Sequence, residues 1–168
     1  MTGDWISVPN FADGQIVRAK TFQDIAKNLD LLKNPLLVEK AGPAALTTAW
    51  TFSVVGSWVD IDADYYQISF ASQGNPLLAL AFIRFSHSAA NGAGVLRYNL
   101  DGVGRGGTNG QFTGRDSINV PETFCFADII SPVTAGNHTL KIEVKNLTVG
   151  NTEIWKDYAC LAMRVFEF

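Results

Sequence analysis

Histidine and cysteine are scarce: the 168 residues hold two histidines, His87 and His138, and two cysteines, Cys125 and Cys160. Without a Cys-x-x-Cys pair or a histidine cluster, a tetrahedral zinc site has too few ligands, and no metal or other cofactor is expected. The two cysteines each lie in an apolar, strand-like run. They read as buried thiols in a reducing compartment rather than as a disulfide. Charge of one sign is also missing. Thirteen Lys and Arg face 16 Asp and Glu, for a net charge of −3, with no like-charge block. A nucleic-acid partner, which calls for a basic patch, is not expected. The longest apolar run, Pro76 to Ile83, is too short to span a bilayer. Asp4 and Trp5 stand where a secretion signal would place a basic and then an apolar stretch, so folding in a cytoplasm is expected. No serine sits in a Gly-x-Ser-x-Gly elbow, and no catalytic constellation is legible.

What is present divides in two. Residues 1–35 read as a docking arm, with an extended Trp/Pro/Phe stretch, a Gly turn and one amphipathic helix. Thr21 is a candidate N-cap, with Asp24 three residues on, where it suits the positive helix end. Phe22, Ile25, Leu29 and Leu32 fall on one helical stripe, and Asn34-Pro35 ends the helix. A helix of about a dozen residues is marginal alone in water, so the stripe must bury itself against something. Trp5, Phe11, Phe22, Ile25, Leu29 and Leu32 are the expected docking contacts.

Residues 36–168 read as an all-β domain. Turn signals recur every 8–12 residues: Gly42-Pro43, Gly56, Gly74-Asn75-Pro76, Asn91-Gly92, Asp101-Gly102, Gly136-Asn137 and Gly150-Asn151. That spacing predicts an antiparallel sandwich or barrel of eight to ten strands. Leu140, Ile142 and Val144 alternate with Lys141, Glu143 and Lys145, a strand with one wet face. Leu77–Phe85 and Leu161–Phe166 are apolar on both faces, as expected of strands covered on both sides. Tyr66–Phe70 and Val95–Leu100 complete the clearer strands.

Gly102–Gly114 holds six glycines. It formally contains G-x-G-x-x-G, but no helix follows to receive a pyrophosphate. It reads as a long, mobile surface loop, with Arg105, Asn109, Gln111 and Arg115 as exposed contact residues. Asp60, Asp62 and Asp64 alternate, yet the glycine and distal glutamate of a calcium loop are missing. They read as a solvated strand end. Trp5, Trp50, Trp58 and Trp155 offer either core bulk or a sugar-stacking platform.

The arm resembles a leader common in virion proteins of tailed bacteriophages, on Trp5, Pro9, Gly14, Ala19, Asn28, Leu29 and Leu32. The second half is similar to the trimeric jelly rolls of the tumour-necrosis-factor and complement type. That likeness rests on Thr47 to Trp50, Asn99–Gly102, Val133–Lys141 and the final apolar strand; Gly56 to Leu96 matches no named pattern. The resemblance implies a mainly β antiparallel jelly-roll sandwich preceded by an extended arm and one short helix. It also implies a non-enzymatic, homotrimeric protein of the virion surface. No heptad or collagen repeat supplies a shaft. The expectation is a capsid decoration or cement protein docked through its arm on the major capsid protein. The alternative is a tail or head-fibre receptor-binding protein contacting a host glycan or protein. A hydrolytic domain is the third reading.

Overall fold

The computed structural model describes residues 36–41, 48–116, 121–156 and 161–167. The docking arm with Trp5, Phe11, Phe22, Ile25, Leu29 and Leu32 lies outside the described residues, as does Cys160. The described residues form two antiparallel sheets packed as a β-sandwich, with twelve strands. These are β1 (Leu36–Ala41), β2 (Ala49–Phe52), β3 (Trp58–Asp60), β4 (Gln67–Gln73), β5 (Leu77–His87) and β6 (Gly92–Leu100). They continue with β7 (Val103–Gly104), β8 (Phe112–Asp116), β9 (Glu122–Ile130), β10 (Ala135–Asn146), β11 (Thr152–Trp155) and β12 (Leu161–Glu167).

In the first sheet β5 pairs with β9 along one side and with β12 and β11 along the other, while β1 and β2 lie beyond β12 and β11. In the second sheet β3 and β4 share one side of β10, β6 takes the other, and β7 and β8 line the far side of β6. The chain passes between the sheets at the β2–β3, β4–β5, β5–β6, β8–β9, β9–β10 and β10–β11 connections.

Period-2 alternation explains the core. Leu77, Ala79, Ala81, Ile83 and Phe85 on β5 face Ile68 and Phe70 on β4, Leu96 and Tyr98 on β6, and Leu140, Ile142 and Val144 on β10. Tyr98 is fully buried, stacks on Phe126 at 4.4 Å, and donates its hydroxyl across the sandwich to the Phe126 carbonyl at 2.7 Å. Burial of the phenol pushes its pKa far above the usual tyrosine value. Glu167, also buried, accepts four hydrogen bonds at one oxygen, from Ser72 Oγ and from the amides of Gln73, Gly74 and Asn75. It pins the β4–β5 turn, where the chain passes from the second sheet to the first, to the last strand.

The described residues form twelve strands where the turn spacing predicts eight to ten, and the structure departs from the sequence expectation at three further places. Gly136-Asn137 is not a turn: both residues lie inside β10, paired with Ser72 and Ala71 of β4. Cys125 is exposed, because its position on β9 alternates with the inward-facing Phe124 and Phe126. The glycine-rich segment is not a free loop but folds back along β6. Asp101 and Gly102, at φ 51 and 87, form the two-residue hairpin turn into β7.

Candidate functional site

The sandwich presents two unlike outer faces. On the first sheet, Leu78, Leu80 and Phe82 of β5 point outward, with Ile129, Ala127 and Cys125 of β9 directly opposite them. Phe166 of β12 lies opposite Leu78 on the other side. Ile129 is 60% exposed and Phe82 36%, while Leu78, Leu80 and Phe166 are half-buried. Three adjacent strands thus carry one continuous apolar band. An apolar patch of that kind marks an interaction surface more often than scattered surface leucines do. Arg164, ion-paired with Glu39 of β1, borders the band.

On the second sheet the outward side chains are polar, yet several are buried. Glu143 is 7% exposed, Lys145 6% and Asn99 2%. The wet face expected for this strand is therefore covered, by the glycine-rich segment lying on it as a strap. Arg105 N donates to the Tyr98 carbonyl and Gln111 N to the Leu96 carbonyl, at 2.9 and 2.8 Å, and a short 3-10 turn spans Gly107–Asn109 between them. The approach is close: a Cβ on Gly104 would fall 2.1 Å from the Arg97 guanidinium carbon, and one on Gly110 2.8 Å from the Trp58 ring. At Gly110, where the Leu96 carbonyl oxygen would stand 2.9 Å from that Cβ, only glycine lets the backbone lie this near; at Gly104 the close group is the end of a flexible arginine side chain.

Beneath the strap, Arg97 lies 4.1 Å and Lys145 4.6 Å from the Trp58 ring centroid. Arg97 is ion-paired to Glu143, whose other oxygen accepts from Asn99 Nδ2 at 2.9 Å. Lys145 Nζ donates to the Thr108 carbonyl of the strap. Lys141 bridges Asp60 at 2.7 Å and Glu143 at 3.9 Å. The alternation of Lys141, Glu143 and Lys145 was the only sequence signal for this cluster. It could not show that distant glycines would cover the row.

The predicted contact residues are dispersed. Arg105 is half-buried, ion-paired with Asp128 and donating to the Ile129 carbonyl at 3.2 Å, so it clasps the strap to the first sheet. Gln111 is half-buried and accepts the Tyr98 amide at 2.8 Å. Asn109 is exposed on the 3-10 turn, and Arg115 pairs through its backbone with Ala93. Of the four tryptophans, Trp5 lies outside the described residues and Trp58 lies under the strap. Trp50 packs against Tyr65 and Tyr66 under Lys156, and Trp155 donates to Ser86 Oγ at 2.7 Å.

Asp62 caps its own turn by accepting the amides of Asp64 and Tyr65, while Asp60 turns to Lys141. Among the described residues no three His, Cys, Asp or Glu side chains converge as metal ligands. Both histidines have structural partners at each ring nitrogen. His87 Nδ1 accepts the Ala89 amide, and Nε2 meets Asn146 Oδ1 at 3.1 Å. His138 sits between Asp101 Oδ2 at 2.6 Å and the Thr134 carbonyl at 2.8 Å. The Asp101 hydrogen bond raises the His138 pKa above its ordinary value. For Asp101, burial pushes upward, but the hydrogen bonds from His138 and the Thr139 amide prevail and lower it.

No protein-family model matches the sequence, and no curated protein does. Among solved structures, the chain is similar to dimeric latent PorU from Porphyromonas gingivalis, with a TM-score of 0.43 and 9% identity over 79% of this chain and 12% of that one. It is also similar to infectious bursal disease virus, Gx strain, with a TM-score of 0.45 and 10% identity over 79% of this chain and 31% of that one. The chain spans well under two thirds of either protein, and at these scores neither likeness bears on what it does.

Proposed function

We propose that the chain is a non-enzymatic structural protein of a phage particle, a jelly roll that self-assembles through the outer face of its first sheet. The apolar band of Phe82, Ile129, Leu78, Leu80 and Phe166 carries this reading. Burying such surface contributes about 25 cal/mol per Å², and leaving it in water is a liability for a lone domain. The jelly-roll assignment is supported by the strand order, with β9, β5, β12 and β1 in one sheet and β4, β10, β6 and β8 in the other. The resemblance of the arm and the last strands to phage surface proteins supports a homotrimer that decorates the capsid, with residues 1–35 on the major capsid protein.

Sedimentation equilibrium of the full chain and of a Phe82→Asp/Ile129→Asp variant tests the assembly step. A three-chain mass for the parent and a one-chain mass for the variant are expected; a monomeric parent overturns the proposal. Immunogold label over particle heads is the expected localisation. Label confined to tails would move the protein to the receptor-binding role instead.

A further inference from the structure

We propose that the strapped face of the second sheet is a binding site for a short acidic oligosaccharide, with the strap as its cover. This site uses no residue of the apolar band. Its key group is the ammonium of Lys145, a residue that is 6% exposed. Nζ meets the Thr108 carbonyl and the Trp58 ring, and no carboxylate of the described residues lies within ion-pair distance of it. The nearby Glu143 is already held by Arg97 and Asn99. An ammonium has three donors, and a buried cation without a counter-charge is costly. The Thr108 carbonyl stands where a stronger acceptor, an oxyanion, would serve better.

A second demand points to hydroxyl groups. Asn99 is 2% exposed, its Nδ2 is committed to Glu143, and its Oδ1 has no hydrogen-bond partner. An inorganic anion would satisfy Lys145 and leave Asn99 unmet; a neutral sugar would do the reverse. A carboxylate-bearing sugar satisfies both, its carboxylate at Lys145 and a hydroxyl at Asn99. Along the ladder Asn99 pairs with Lys141, four residues from Lys145, a separation of about 13 Å. That span suits a di- or trisaccharide rather than one ring.

The cover can move without disturbing the core. Gly106, Gly107 and Gly110 have φ of 74°, 61° and 68°, and residues 106–109 are exposed. At the strap's tip the Thr108 carbonyl accepts from Lys145, a bond the ligand's carboxylate replaces, and the Gly107 carbonyl meets Arg97 Nη1 at 3.5 Å, a contact that opens with it.

The test is an NMR titration of the full-length protein with tri-galacturonic acid, in parallel with maltotriose and with inorganic phosphate. Expected are saturable shifts at the Trp58 indole N–H, the Lys145 amide and the Gly106–Gly110 amides with the acidic trisaccharide alone. Lys145→Met should weaken binding at least about tenfold, the loss of one charge-assisted contact. The parent's shift map stands whether or not that variant folds. Absence of shifts at millimolar trisaccharide, or unchanged binding by a folded Lys145→Met protein, overturns the site. Equal binding of maltotriose overturns the acidic requirement, and equal binding of phosphate overturns the saccharide.

Discussion

Replacing Gly110 by alanine tests whether the strap depends on backbone that only glycine supplies. Gly110 has φ 68 and ψ −169, a region that costs a residue with a Cβ about 1–3 kcal/mol. The new Cβ would also stand 2.9 Å from the Leu96 carbonyl oxygen and 2.8 Å from Trp58 Cη2. Neither neighbour yields easily: the Leu96 oxygen accepts Gln111 N–H, and the indole lies under Arg97. Gly102 is the control, with φ +87 but nothing within 4 Å, so alanine there meets only the conformational cost of about 1 kcal/mol. The combined penalty at Gly110 is about 3 kcal/mol. Five bonds hold the strap to its own sheet, through Arg105 N, Gln111 N, Gln111 Oε1, Lys145 Nζ and, at 3.5 Å, Arg97 Nη1 to the Gly107 carbonyl, together about 2.5–7.5 kcal/mol, besides the Arg105–Asp128 clasp at its root. Penalty and closure are comparable, so the strap should lift before the sandwich unfolds. Hydrogen exchange should show lost protection at the amides of residues 105–111, while β5 and β10 stay protected and urea unfolding shifts by no more than about 3 kcal/mol. A Gly110→Ala protein whose strap amides stay as protected as in Gly102→Ala would show that the strap does not depend on glycine at that position.

Removing the Tyr98 hydroxyl with phenylalanine deletes a buried bond between the sheets and should cost about 1–1.5 kcal/mol in urea unfolding; a loss under about 0.3 kcal/mol would mean that the bond contributes nothing net. Below the ordinary histidine pKa of 6.5, His138 should contribute its full stabilisation, because its folded value is raised; the contribution fades as pH climbs through that raised value. The lowered Asp101 value acts at the other end, its contribution fading as pH falls through the folded value. The stability difference between parent and His138→Gln should therefore shrink as pH rises from 6.5 through the raised value, and a difference constant from pH 5 to 9 would count against the pair. If the apolar band is the assembly surface, the exposed Cys125 thiol should react with a thiol reagent quickly in dilute monomer and slowly in the oligomer, whereas equal rates would place the interface elsewhere.

The β-sandwich was legible because alternation is a local signal. Leu140, Ile142 and Val144 announced an inward face, and the structure buries all three. The unbroken apolar run on β5 likewise pointed to a strand with two apolar faces, and both exist. Other features depend on contacts remote in the chain. Glu143 and Lys145 read as solvated because nothing near them in sequence predicts a strap arriving from residues 104–111. The glycines of that strap looked like looseness, yet Gly104 and Gly110 serve close approach over Arg97 and Trp58. Strand β9 was seen only as the apolar surroundings of Cys125, and its alternation places that thiol outward rather than in the core.

The division between the two outer faces bears on how assembly and ligand binding could coexist. An apolar face favours a dry interface, while a charged cluster under a thin cover needs access to solvent. On a sandwich these faces point in opposite directions, so assembling through β5 and β9 leaves the strap outermost. The clasp between Arg105 and Asp128 is the exception, since it joins the strap's root to β9 and reaches the Ile129 carbonyl. Ile129 is also the most exposed side chain of the apolar band. Whatever buries Ile129 therefore also bears on the backbone that holds the strap's root, the shortest physical route from the assembly face to the covered site.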